Sequence, residues 1–116
     1  SGSNQKRQKS KKEKIKNLSG NNFKLIRHIE SNFSVRHKKN LIISFNESGT
    51  TTLSDGEKSF VGNFSQNGNT LNIKFIEIDT KYKFLEDGWN LSMDSYGFIL
   101  KRSSLLVKEE LEFEVI

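Results

Sequence analysis

Asn67-Gly68, with an alternating run on either side, constrains this chain more than any other stretch. Before it, Phe60, Gly62 and Phe64 alternate with Val61, Asn63 and Ser65; after it, Leu71, Ile73 and Phe75 alternate with Asn72 and Lys74. Asn-Gly suits a type I′ turn, which needs positive φ at both central residues. Residues 59–75 therefore read as an antiparallel ribbon with one apolar and one polar face. A lone hairpin is marginal in water, so the rest of the chain must cover the apolar face.

The flanking sequence repeats the pattern. Residues 22–30 form a first strand, with Phe23, Leu25 and Ile29 on one face and Ile26 on the other; residues 31–40 connect it onward, with room for a short helix. Leu41, Ile43 and Phe45 alternate before the turn Asn46-Glu47-Ser48-Gly49, and residues 50–53 make a short strand closed by Asp55-Gly56. At Phe75-Ile76 the parity slips, which predicts a bulge or a strand exit. Tyr82 and Phe84 alternate through residues 81–85, Asp87-Gly88 marks a further hairpin turn, Trp89, Leu91 and Met93 follow, and Phe98 and Leu100 lead to Lys101-Arg102. Residues 105–116 suit a final strand or extended arm, in which Leu111, Phe113 and Val115 could also add to a neighbouring molecule's sheet edge. About eight short strands with turn signals roughly every ten residues predict an all-β fold, a small antiparallel up-and-down barrel.

At 116 residues there is room for one domain. There is no cysteine, which excludes a disulfide framework, thiol catalysis and a cysteine-based zinc site. The net charge of +5 invites a nucleic-acid reading, but its placement opposes one. Lys6, Arg7, Lys9, Lys11, Lys12, Lys14 and Lys16 face only Glu13 within the first 18 residues, giving that segment +6 and the remainder −1. Residues 1–18 thus read as a disordered basic tail or tether, with residues 1–3 a cloning remnant, and residues 19–116 as the folded domain. On this reading the tail is a solvated linker to a membrane anchor. Lysines near an anionic bilayer each contribute about 1 kcal/mol, so an anionic surface is the competing partner. Nucleic acid is not expected, because no aromatic residues interleave with the lysines to stack bases.

No catalytic set emerges. Asp55, Asp87 and Asp94 sit in turn signals, where aspartate bonds its own backbone, and no serine lies in a Gly-x-Ser-x-Gly context. His28 and Glu30 share a strand face at i, i+2, yet a solvated polar face accounts for them and for His37, so no metal or cofactor is expected. Gly62 alone lies inside a strand, marking a bend or a close backbone approach. The remaining candidates are large apolar residues facing inward: Phe60, Phe64, Ile73, Phe75, Tyr82, Phe84, Trp89 and Phe98. They either line a pocket for a small apolar ligand or fill the barrel, and the short strands and bulky rings favour filling.

The order of these elements resembles that of small bacterial lipocalin-like domains of the Bacteroidetes-type secreted or lipoprotein class. The residues carrying the resemblance are Gly20-Asn21-Asn22-Phe23, Ile43-Ser44-Phe45 with Ser48-Gly49-Thr50, Gly62-Asn63-Phe64, residues 67–73, and Gly97-Phe98-Ile99-Leu100-Lys101-Arg102. Lipocalins proper carry Gly-x-Trp on the first strand, where this chain has Phe23. The resemblance implies a barrel closed at its base by Gly20, Phe23 and Arg102, with Arg102 over the Phe23 ring. It also implies a non-catalytic binding module outside the cytoplasm (periplasmic, outer-membrane lipoprotein or secreted). Such a module would take a small hydrophobic ligand or a protein partner, and meet the membrane only through a tether.

Overall fold

A computed structural model of the protein describes residues 18–116. The ribbon is present: β5 (Ser59–Asn67) and β6 (Thr70–Phe75) pair with Phe64 opposite Ile73 and Gly62 opposite Phe75. Leu71, Ile73 and Phe75 are buried, Phe60 and Phe64 pack against them, and Val61, Asn63 and Ser65 face solvent. The turn differs in detail. Asn67 pairs with Thr70, so Gly68-Asn69 is the two-residue loop, and only Gly68 has positive φ, at 62°. Positive φ at the first central residue alone is the type II′ arrangement. The type I′ arrangement occurs instead at Ser31-Asn32, both at positive φ, between β1 (Asn21–Glu30) and β2 (Phe33–Ser34). A hairpin thus stands where weak periodicity predicts a connection with room for a helix.

The other strands are β3 (Ile42–Phe45), β4 (Thr50–Ser54), β7 (Asp87–Met93), β8 (Gly97–Ser103) and β9 (Lys108–Val115). From β3 to β9 each strand pairs antiparallel with the next, β1 pairs with β3, and β9 pairs back onto β1. The result is a closed eight-strand antiparallel barrel with β2 as one strand outside it. Closure removes sheet edges, and it settles the last segment. Residues 108–115 are a wall strand bonded on both sides, with Leu111 and Phe113 buried, and not an arm reaching for another molecule.

The interior is filled by the largest side chains. Phe23, Phe45, Trp89 and Phe98 are each no more than 2% exposed. Phe98 lies 4.8 Å edge-on to Phe23 and 4.7 Å stacked on Phe113, and Phe45 meets Phe64 at 4.8 Å. Leu18, the last residue of the segment expected to be a tail, is 1% exposed and belongs to this core. Strand parity shifts twice, once unexpectedly in β1 and once at Phe75-Ile76, where the sequence predicts it. In β1 the pairing to β9 slips between Leu25 and Arg27, leaving Ile26 as the extra residue of a bulge. The slip carries His28 inward in place of Ile29. After Phe75 the chain leaves the sheet, and Ile76 is 79% exposed.

At Gly62 and Gly97 the backbone of the neighbouring strand passes too close to admit a side chain. A Cβ on Gly62 would collide with the Lys74 carbonyl, and one on Gly97 with the Phe113 carbonyl, both backbone atoms with nowhere to go. Gly97, at the start of β8, is thus the β8–β9 counterpart of Gly62, so Gly62 does not stand alone inside a strand. We expect Gly62→Ala to destabilise the fold by about 3 kcal/mol, the upper range for forced overpacking. A urea midpoint unchanged from the parent would contradict that close approach.

Candidate functional site at the capped end of the barrel

Alternating strand directions divide the loops between two ends. Residues 46–49, 68–69 and 94–96 turn the chain at one end; residues 31–41, 55–58, 76–86 and 104–107 gather at the other. The second end holds the polar chemistry.

Its cap is a 3₁₀ helix, Thr80–Leu85, where alternation had predicted a strand. In a 3₁₀ turn residues i and i+3 fall on one face, so Tyr82 and Leu85 are buried together, at 3% and 0% exposure. A strand would have turned Leu85 outward and lost the roughly 1.5–3 kcal/mol that burying such a side chain contributes. Tyr82 donates to Asp55 Oδ2 at 2.8 Å, while Asp55 Oδ1 accepts from the backbone N–H of Glu57 and Lys58. The Lys58 and Glu57 amides, with the Tyr82 hydroxyl, hold the Asp55 carboxyl well below the usual range. Burial and the Asp55 bond push Tyr82 up to about 12. Behind the helix, Glu86 is buried and accepts from the Phe75 amide at 2.9 Å. Asp87, at φ 81°, turns the chain into β7, so Asp87-Gly88 begins a strand and does not form a hairpin turn.

Arg102 fastens this cap to the wall. Its Nη1 donates to the Glu86 carbonyl at 2.6 Å, Nη2 to the Phe84 carbonyl at 2.8 Å, and Nε to Glu109 Oε1 at 2.7 Å. The guanidinium lies 3.7 Å from the centre of the Trp89 ring, whose Nε1 donates to the Leu85 carbonyl. The expected partner, Phe23, lies at the start of β1, whereas Arg102 lies towards the end of β8. Those positions belong to opposite ends of the barrel, so the cation–π partner is Trp89. Gly20 (φ 85°) donates its amide to the Phe45 carbonyl at the far end.

The bulge in β1 delivers His28 to the same end. His28 is 4% exposed, correcting its reading as part of a solvated face. Its Nδ1 lies 2.9 Å from His37 Nε2, and Phe84 stacks on both rings, at 4.5 and 5.0 Å. Such a contact requires a donor and an acceptor, so at least one ring is neutral. Burial first, then the His37 ring, lowers His28 to about 4, and burial lowers His37. Beside the pair, a cleft of about 360 Å³ opens between β1 and the 34–41 segment, with Arg36, Lys39 and Val35 on its far wall.

Of the inward candidates, Ile73, Phe75, Tyr82, Trp89 and Phe98 are buried, and Phe60, Phe64 and Phe84 are partly buried against them. They divide between the core and the cap and do not converge on one pocket. Lys6, Arg7, Lys9, Lys11, Lys12, Lys14 and Lys16 lie outside the described residues. Sequence reasoning missed His37, Glu86 and Glu109 as members of one cluster. The i, i+2 spacing of His28 and Glu30 was the only local signal.

Two outcomes test this description. Arg102→Met should cost about 3 kcal/mol in urea unfolding, since it leaves buried carbonyls and a carboxylate without their donor. Arg102→Lys should recover less than half, because an ammonium cannot span the fork. Tyr82, with its folded pKa raised, contributes stability that is complete below its unfolded value near 10 and lost as pH rises through about 12. In Tyr82→Phe the fall in midpoint between pH 10 and 12 should be shallower than in the parent. An identical pH profile would contradict the Asp55 bond.

No protein-family model, curated protein or solved structure matches the chain.

Proposed function

We propose that the protein is a non-catalytic binding module of lipocalin-like type, working outside the cytoplasm, and that it engages a protein partner through the capped end. The observation that carries this reading is the placement of large apolar side chains left outside the core. The four most exposed, Phe33 (74%), Ile76 (79%), Leu105 (102%) and Leu106 (90%), all stand on loops or loop junctions of that one end, while the less exposed Tyr96 and Ile116 lie at the other. Solvated apolar tips grouped this way mark interaction surfaces more than chance exposure does. The interior supports a partner over a small apolar ligand, because the rings that would line a pocket already pack on one another. Arg36 and Lys38 follow Phe33 and Lys101 and Lys108 flank Leu105-Leu106, while Lys39 pairs with Glu57, Glu77 follows Ile76 and Glu109 follows Lys108, so the apolar tips are rimmed by charge of both signs. A partner with an apolar centre and a rim of mixed charge matches that arrangement.

A second reading rests on the segregated charge of the sequence: the +6 segment of residues 1–18 engages an anionic surface, while the domain acts separately. Native mass spectrometry of the full chain purified from its own source distinguishes these readings. The expected result is a protein complex lost in Leu105→Ser/Leu106→Ser, whose side chains carry no core packing. A retained small apolar ligand, or a complex lost only on deleting residues 4–18, would contradict the partner reading.

A further inference from the structure

Closing the barrel sets two carboxylates face to face. Glu30 on β1 is the direct cross-strand partner of Glu109 on β9. Like charges in that relation repel. Arg102, opposite Glu109 on β8, neutralises one of them through Glu109 Oε1. The neighbouring β9 carboxylates do not share this face: Glu110 and Glu112 point the other way, to Arg27. One strand step back on β1, a ring nitrogen of His28 lies within 4.8 Å of a carboxylate oxygen of each of Glu30 and Glu109.

His28 supplies a second, independent observation. Its Nε2 is buried and has no hydrogen-bond partner among the described residues. Nδ1 is taken by His37. If Nδ1 donates to His37, then Nε2 is left with a bare lone pair on a ring that stands beside two carboxylates, an arrangement that calls for a cation. If instead Nε2 carried the hydrogen, two strong acceptors stand close by, yet neither is placed to take it. Buried polar atoms without partners are rare enough to need a reason.

We propose that His28 Nε2, Glu30 and Glu109 form a binding site for a transition-metal dication, with Zn²⁺ the best match. An imidazole with two carboxylates suits a later first-row ion, whereas Mg²⁺ and Ca²⁺ favour all-oxygen shells. Three protein ligands leave the fourth tetrahedral position open, to water or to a group from outside. His37 is the positioning residue: by accepting from Nδ1 it fixes the tautomer and ring angle of the ligand, a usual outer partner of metal-bound histidine. Arg102 performs the same service for Glu109, holding Oε1 and leaving Oε2. Glu30 is exposed at the end of β1, so its side chain has room to turn and close the remaining distance.

The test uses the full chain and Zn²⁺ alone, followed by calorimetry, with Co²⁺ absorption as the spectroscopic readout. One equivalent should bind saturably and raise the thermal midpoint, and Mg²⁺ should not compete. Glu30→Gln, a change at an exposed side chain, should weaken Zn²⁺ binding at least about tenfold. Glu47→Gln at the opposite end should leave it unchanged. His37→Phe should shift the Co²⁺ spectrum. Absence of saturable Zn²⁺ binding to the parent would overturn the proposal, as would binding undiminished in Glu30→Gln. Neither result depends on whether a protein partner docks at this end.

Discussion

The pairing of β9 with β1 converts a meandering sheet into a barrel, and every other feature of the described chain leans on it. Without that pairing, both outer strands would present unpaired backbone groups. With it, the inner faces of Leu111 and Phe113 join Phe23 and Phe98 in one core. The same register places Glu30 opposite Glu109 and brings the end of β1 beside the end of β8, so the polar cluster at the capped end is a consequence of closure.

That end is held by side chains that bond to backbone, a different kind of stabilisation from the rest of the wall. The 3₁₀ helix and the residues around it belong to no ladder, and their carbonyls are satisfied by Arg102 and Trp89. Tyr82 and Asp55 tie the helix to the β4–β5 turn, and the Phe84 ring covers the two histidines. A barrel end built in this way is polar beneath, apolar at its loop tips and closed by one short helix.

The sequence carried the strands well because alternation is a local signal. The two faces of residues 59–75, the close approach at Gly62 and the exit after Phe75 could all be read from neighbours one or two positions away. The barrel and its final strand could be read, the latter from Leu111, Phe113 and Val115, but that this strand closes the wall could not, because the choice between a wall strand and a free arm depends on β1, some eighty residues earlier. Three departures share that character. The bulge at Leu25–Arg27 adds one residue and reverses parity, which turns His28 inward without altering the composition of the strand. The 3₁₀ helix wins because Tyr82 and Leu85 both find the barrel mouth, a fact of tertiary space. Arg102 meets Trp89 and not Phe23 because of which end of its strand it occupies. The polar cluster was the least legible part: His28, His37, Glu86, Arg102 and Glu109 come from five separate segments and no two form a recognisable motif.

Closure of the barrel is measured directly by amide hydrogen exchange of the full chain. If β9 is a wall strand, amides within Lys108–Val115 should exchange only through global unfolding, with the same protection as those of Thr70–Phe75. Rapid exchange confined to Lys108–Val115, with β5 and β6 still protected, would mean an open sheet with a loose final segment and would contradict the barrel.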